Sequence, residues 1–96
     1  MNLEDFILAD EICLRYRVEE NFIFALHESE LIHLRVFEKR YYLHIEQIKD
    51  FEKMRRLYYE MEINLEGLEA IKNLLDTIHQ LQKEKLQLEN RLRLYE

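Results

Sequence analysis

No proline, a single glycine (Gly67) and a single cysteine (Cys13) occur in these 96 residues. Each scarcity excludes something. With so few of the residues that turns require, a loop-rich fold is ruled out. A lone cysteine permits no internal disulfide. Cys13 lies in an apolar stretch, where it reads as a small buried hydrophobe in a cytoplasmic chain. No apolar run approaches the ~20 residues needed to span a bilayer, and no basic segment leads into an apolar one, so neither a membrane span nor a signal peptide is expected. What is present points one way. Hydrophobic residues make up 48% and charged residues 35% of the chain, the composition of amphipathic helices with wet outer faces in one small domain.

The net charge of −6 is unevenly spread. Residues 1–30 carry eight acids and two bases, residues 31–56 four acids and seven bases, and residues 57–96 eight acids and five bases. The first third is therefore the acidic part and the middle is mildly basic.

Residues 63–96 read as one long capped helix. Asn64 suits an N-cap because its side-chain oxygen can accept a backbone N–H of the first turn. Ile63 and Leu68 stand at the spacing of a hydrophobic staple, and Glu66 places negative charge at the positive end of the helix dipole. Gly67 in the first turn suggests close approach of another helix. Apolar residues then recur in steps of three and four at Ile71, Leu74, Ile78, Leu81, Leu88 and Leu92, closing on Tyr95. They fit alternating core positions of a coiled coil, with Lys85 at one of them and Leu75, Leu86 and Leu94 broadening the stripe. The seam outlasts what residues 1–62 can cover, so a homodimer is expected, with the six seam residues as its contact.

Residues 3–8 are too short to classify and could be a small strand or an ordered arm. A helical stretch runs from Glu11 to about Tyr16, with Ile12 and Cys13 inward, followed by a turn at Arg17-Val18. A second helix runs from about Glu20 to Glu28 with Phe22, Ile23 and Leu26 at core spacing. Ser29-Glu30 breaks it and Leu31-Ile32 returns to the core. Residues 33–43 partly alternate and are rich in aromatic and branched side chains, predicting a β-hairpin with its turn near Glu38-Lys39. A third helix is expected from about Glu46 to Met61, with Ile48, Phe51, Tyr58 and Met61 on one face.

Helix, turn, helix, hairpin, helix and long helix is the order of a winged helix-turn-helix with a coiled-coil tail. The chain resembles the MerR family of regulators. Leu31-Ile32 stands where that family has Gly-Leu-Ile, with Glu30 in place of the glycine. Tyr42 falls at the aromatic leaving the wing, and residues 62–68 resemble the turn into the next helix. It also resembles a specialised branch, the chaperone-modulator (CbpM) family, on the run Leu81-Gln82-Lys83-Glu84 and the terminal Arg91-Leu92-Arg93-Leu94-Tyr95. The fold this implies is mainly α: a MerR-like winged helix-turn-helix module over residues 1–62 and a C-terminal dimerisation helix over 63–96, together one domain. The function it implies is binding the J-domain of a DnaJ-like co-chaperone and inhibiting its stimulation of a DnaK-type chaperone. The alternative is a MerR-like DNA-binding transcriptional regulator.

The residues weigh on that choice. A helix-turn-helix protein puts its second helix into the major groove, with Lys and Arg neutralising phosphates. Here that helix has no Lys or Arg and is bounded by Glu19-Glu20 and Glu28-Glu30. Only Asn21 could read a base. The bases Arg35, Lys39, Arg40, Lys49, Lys53, Arg55 and Arg56 lie in the wing and third helix, and Glu52 and Arg56 have the spacing of an ion pair. An acidic surface favours a basic protein partner. Asp10, Glu11, Glu19, Glu20, Glu28 and Glu30 are the expected partner-binding acids. Exposed members of Phe22, Phe24 and Tyr16 are expected as anchors, Phe24 being the one of the phenylalanine pair that faces out. The histidines His27, His33, His44 and His79 show no metal spacing, since His27-Glu28 begins a His-Glu-x-x-His pattern that fails at Leu31. No nucleophile–base arrangement and no phosphate loop is present, so neither catalysis nor a cofactor is expected.

Overall fold

The computed structural model describes residues 2–95. A 3₁₀ turn at Leu3–Asp5 leads into β1 (Phe6–Leu8), then α1 (Ala9–Tyr16) and α2 (Glu20–Glu28). β2 (Leu34–Phe37) and β3 (Arg40–His44) form the wing, followed by a 3₁₀ turn (Ile45–Gln47), α3 (Ile48–Arg55), a π-helical turn (Arg56–Glu60) and α4 (Leu65–Leu94). The architecture is that of the expected winged helix-turn-helix with a long terminal helix.

The ambiguous residues 3–8 resolve as a turn and a strand. β1 pairs antiparallel with β3, with Ile7 opposite Leu43, so the hairpin becomes a three-stranded sheet in the order β1-β3-β2. Alternation decides its faces: Ile7, Leu34 and Leu43 face the core. The wing turn lies at Glu38-Lys39 as expected. Both residues have positive φ, 48° and 65°, the left-handed conformation a two-residue type I′ hairpin demands even without asparagine or glycine.

The core joins Ile12 of α1, Phe22, Ile23 and Leu26 of α2, Leu31, Ile32, Leu34 and Leu43, Phe51 and Met54 of α3, and Leu68 of α4. Each large side chain so buried contributes roughly 1.5–3 kcal/mol. One histidine ties the wing to this core: His27 Nδ1 of α2 accepts the backbone N–H of Leu34 at 3.1 Å, while His44 Nδ1 caps the following 3₁₀ turn by accepting that of Glu46 at 3.1 Å.

The third helix departs from expectation. It begins as a 3₁₀ turn, is α-helical only over Ile48–Arg55, and widens so that Met61 N–H bonds Arg56 C=O, five residues back. A π turn adds a residue to the turn and rotates the side chains beyond it. Met61, expected on the buried face, is therefore 61% exposed, while Met54 is buried instead. No ion pair joins Glu52 to Arg56 among the described residues. Arg55 instead donates to the Tyr16 carbonyl at 2.7 Å and lies 3.9 Å from Glu60. Cys13, expected buried, is only half-buried, and Ile12 takes the core position beside it.

α4 starts as expected. Asn64 Oδ1 accepts the Gly67 N–H at 2.7 Å, and Leu68 is fully buried. The reason for Gly67 is different from the one expected. A Cβ there would sit 2.6 Å from Ile63 Cγ2 and 3.0 Å from Asn64 Oδ1. The missing side chain makes room for the helix's own cap, not for a second helix. Beyond its first turns the 30-residue α4, about 45 Å long at 1.5 Å per residue, leaves the module. The molecule accordingly measures 56 × 35 × 20 Å.

Candidate partner-binding surface

α1 and α2 are joined by a tight turn in which Arg17 takes φ 55° and its N–H bonds the Cys13 carbonyl. The turn closes the helix-turn-helix and sets where its acids point. All six expected acids are exposed, but they do not form one patch. Asp10 and Glu20 converge at one end of α2, lining a groove with Leu8, Phe24, Lys39, Arg40 and Tyr41. Their closeness registers on Cys13, whose thiol is pushed above its ordinary pKa by burial first and then by the charges of Glu20 and Asp10. Glu28 and Glu30 stand at the other end of α2, lining a separate notch with Ser29, Leu31, Glu69, Lys72 and Asn73. α2 has nine residues, so the two ends lie about 12 Å apart. Glu11 faces Arg15 at 3.8 Å, an exposed pair worth little. Asp10, Glu11 and Glu20 also sit in first helical turns, where they favour the dipole.

The expected anchors are mostly occupied by the fold. Phe22 is buried, and Tyr16 is half-buried edge-on to Phe51 at 5.3 Å. The Tyr16 phenol is raised by burial, with the charge and hydrogen bond of Glu52 adding to it. Phe24 is not the open face expected. It is half-buried, because Tyr41 of the wing packs against it edge-to-face at 4.8 Å. The hairpin folds back over α2, which a one-dimensional pattern does not register.

The aromatic that sequence pattern does not reveal is Tyr59. It packs edge-to-face on Phe22 at 5.1 Å and on Tyr58 at 5.1 Å, yet remains 39% exposed. Its hydroxyl lies 3.5 Å from the Glu19 backbone N–H, at the entry to α2. Only the Tyr58-Tyr59 doublet hints at it in the sequence, since an unbroken α-helix gives no reason for both to approach Phe22.

The basic residues are partly committed to the fold as well. Arg35 lies over Phe6 at 5.9 Å, and Arg55 over Tyr59 at 5.9 Å in addition to its bond to Tyr16. Lys39, Arg40, Lys49 and Arg56 are exposed. Among the described residues no group of three or more His, Cys, Asp or Glu could hold a metal ion, and no helix is long and apolar enough to cross a membrane.

On α4 the expected contact residues are open. Leu74, Ile78, Leu81, Leu88 and Leu92 are 47–65% exposed, and Ile71 is half-buried near the module. A family model described as MerR HTH family regulatory protein matches residues 7–90, taking in the winged module and most of α4. The chain belongs to the MerR helix-turn-helix family of regulatory proteins. No curated protein and no solved structure matches it. Membership explains one backbone oddity. Glu30, at the place of the glycine in the Gly-Leu-Ile run that the chain resembles, has φ 60°, a conformation that favours glycine. Within this MerR family fold, α2 holds the recognition position and exposes Asn21 with acids at both ends but no cation.

Proposed function

We propose that the chain is a protein-binding regulator that engages the J-domain of a DnaJ-like co-chaperone and reduces its stimulation of a DnaK-type chaperone, as its resemblance to the chaperone-modulator branch implies. The observation that carries this reading is the chemistry of α2. Where a helix-turn-helix protein presents cations to phosphates, this helix presents Glu20 and Glu28, with Glu19 and Glu30 flanking it. Near DNA each would add repulsion where a counterion-releasing contact is needed. Toward a basic protein surface the same acids speed association and reject wrong partners. Inhibition then needs no chemistry, only occlusion of the surface that meets the chaperone.

The protein acts as a homodimer in this reading. The α4 seam is too open for a helix this long to remain single, and a second copy supplies a matching apolar face. A DNA-binding role through the wing is the second reading, supported by family membership and by exposed Lys39, Arg40, Lys49 and Arg56. One experiment separates the two: titration against an isolated J-domain and, separately, against duplex DNA over a salt series. J-domain binding with loss of stimulated ATP hydrolysis, and no DNA shift at low salt, is the expected result. DNA binding without J-domain binding rejects the proposal.

A further inference from the structure

The open seam of α4 is interrupted once. Ile78, Leu81, Leu88 and Leu92 recur in steps of three and four, and the position owed between Leu81 and Leu88 is taken by Lys85. The stripe is also broad, since Leu86 and Leu94 beside it are exposed as well. Made continuous by an apolar residue at 85, such a face would accept more than one neighbouring helix. α4 presents this face as a preformed rod. Lys72 pairs with Asp76 at 3.0 Å, Gln80 donates to Glu84 at 3.2 Å and Lys85 lies 3.9 Å from Glu89, each tying one turn to the next. Glu89 follows the seam residue Leu88, so it gives the Lys85 ammonium a counter-charge at the edge of the stripe, in water.

Two observations favour a second copy as the cover of this seam. From Asp76 to Tyr95 the helix carries three acids and four bases, so this length has almost no net charge with which to select a charged partner or to repel its own kind. Pairing would also take Leu74, Ile78, Leu81, Leu88, Leu92 and Tyr95, all exposed, out of water, an area on the order of the ~800 Å² per partner of a standard interface. The number of copies then turns on Lys85. Between two helices a lysine stem lies along the apolar groove while its head reaches water and Glu89 at the rim. Among three or four helices the same position is enclosed, and no seam position offers an acid to the buried ammonium. We propose that Lys85 is the specificity-determining residue of the α4 interface, admitting one partner helix from a second copy and excluding a third. The assignment rests on the homodimer proposed above and adds what ends its growth.

The test is sedimentation equilibrium of the full chain as wild type, Lys85→Leu and Lys83→Leu. Both lysines are exposed, so neither substitution disturbs the core. Lys83 stands two residues from Lys85, just over half a turn round the helix, and controls for a gain in apolar surface as such. The wild-type and Lys83→Leu chains are expected to sediment as dimers. Lys85→Leu is expected to move most of the chain into species of three or four copies at a concentration where the wild type is dimeric. A Lys85→Leu chain that stays dimeric, or a Lys83→Leu chain that assembles equally far, overturns the role of Lys85 and leaves the homodimer standing. A wild-type chain larger than a dimer also overturns it. A wild-type chain that stays monomeric removes the homodimer and this assignment with it.

Discussion

The winged module and the outer length of α4 both carry apolar residues at regular spacing, with opposite fates. In the module, residues spaced by helical and strand periods converge: Ile12, Ile23, Leu26, Leu43 and Phe51 are all within a percent or so of complete burial. On α4 only Leu68 is buried, and from Leu74 onward the same kind of spacing leads to open surface. Periodicity therefore declares that a face must be covered without declaring by what. In the module the cover is the chain itself. On α4 it is, on our proposal, another copy.

That contrast can be broken from either side. The largest effect is expected at Phe51→Ala, which empties the centre of the module and should cost about 3–5 kcal/mol of unfolding free energy in a urea titration. Leu88→Ala, at 59% exposure, should change the dilute chain by no more than ~0.5 kcal/mol. Equal losses at the two positions would mean that α4 is already sheltered within one molecule.

Leu81→Asp sharpens the same comparison. Leu81 is 58% exposed, so the substitution should leave the module's melting intact while shifting sedimentation from dimer to monomer. A variant that still sediments as a dimer would place the contact elsewhere.

A smaller effect is expected at the junction of the two regions. Asn64→Ala removes the 2.7 Å bond to Gly67 N–H and should lower stability by about 1 kcal/mol, measured by thermal denaturation.

The smallest concerns pH. The Cys13 thiol is raised by burial and by Glu20 and Asp10. A raised thiol keeps its proton longer folded than unfolded, so its contribution is fully present below the ordinary thiol pKa and is lost as pH climbs through the folded value. Alkaline pH should therefore erode stability slightly more in the wild-type chain than in Cys13→Ala. Identical pH profiles would show that Cys13 has no part in the alkaline loss.

Much of this molecule is local and so is readable in one dimension. The Asn64 cap, the helix from Glu20 to Glu28, the turn at Glu38-Lys39 and the seam on α4 each depend on residues within a few positions of one another, where hydrogen-bond geometry and side-chain period decide. The elements that escape such a reading depend on distant partners. β1 is a strand only because β3 offers it a ladder. Phe24 is half-covered only because the wing returns over α2. The widening of α3 at Arg56–Glu60 carries no signal in composition or spacing, yet it turns Met61 outward and sets Tyr59 beside Glu19.

By itself, then, the sequence determined a capped, charge-segregated, mainly helical chain with a second helix lacking Lys and Arg and an apolar stripe too long for its own module, because period, caps and charge are properties of neighbours. Tertiary structure alone decided that β1 finds its ladder on β3, that the wing half-covers Phe24, and that Tyr59 packs on Phe22 while staying partly exposed at the π turn. Those outcomes depend on packing between segments up to forty residues apart, as the Glu19–Tyr59 approach shows, and no local rule encodes such a meeting.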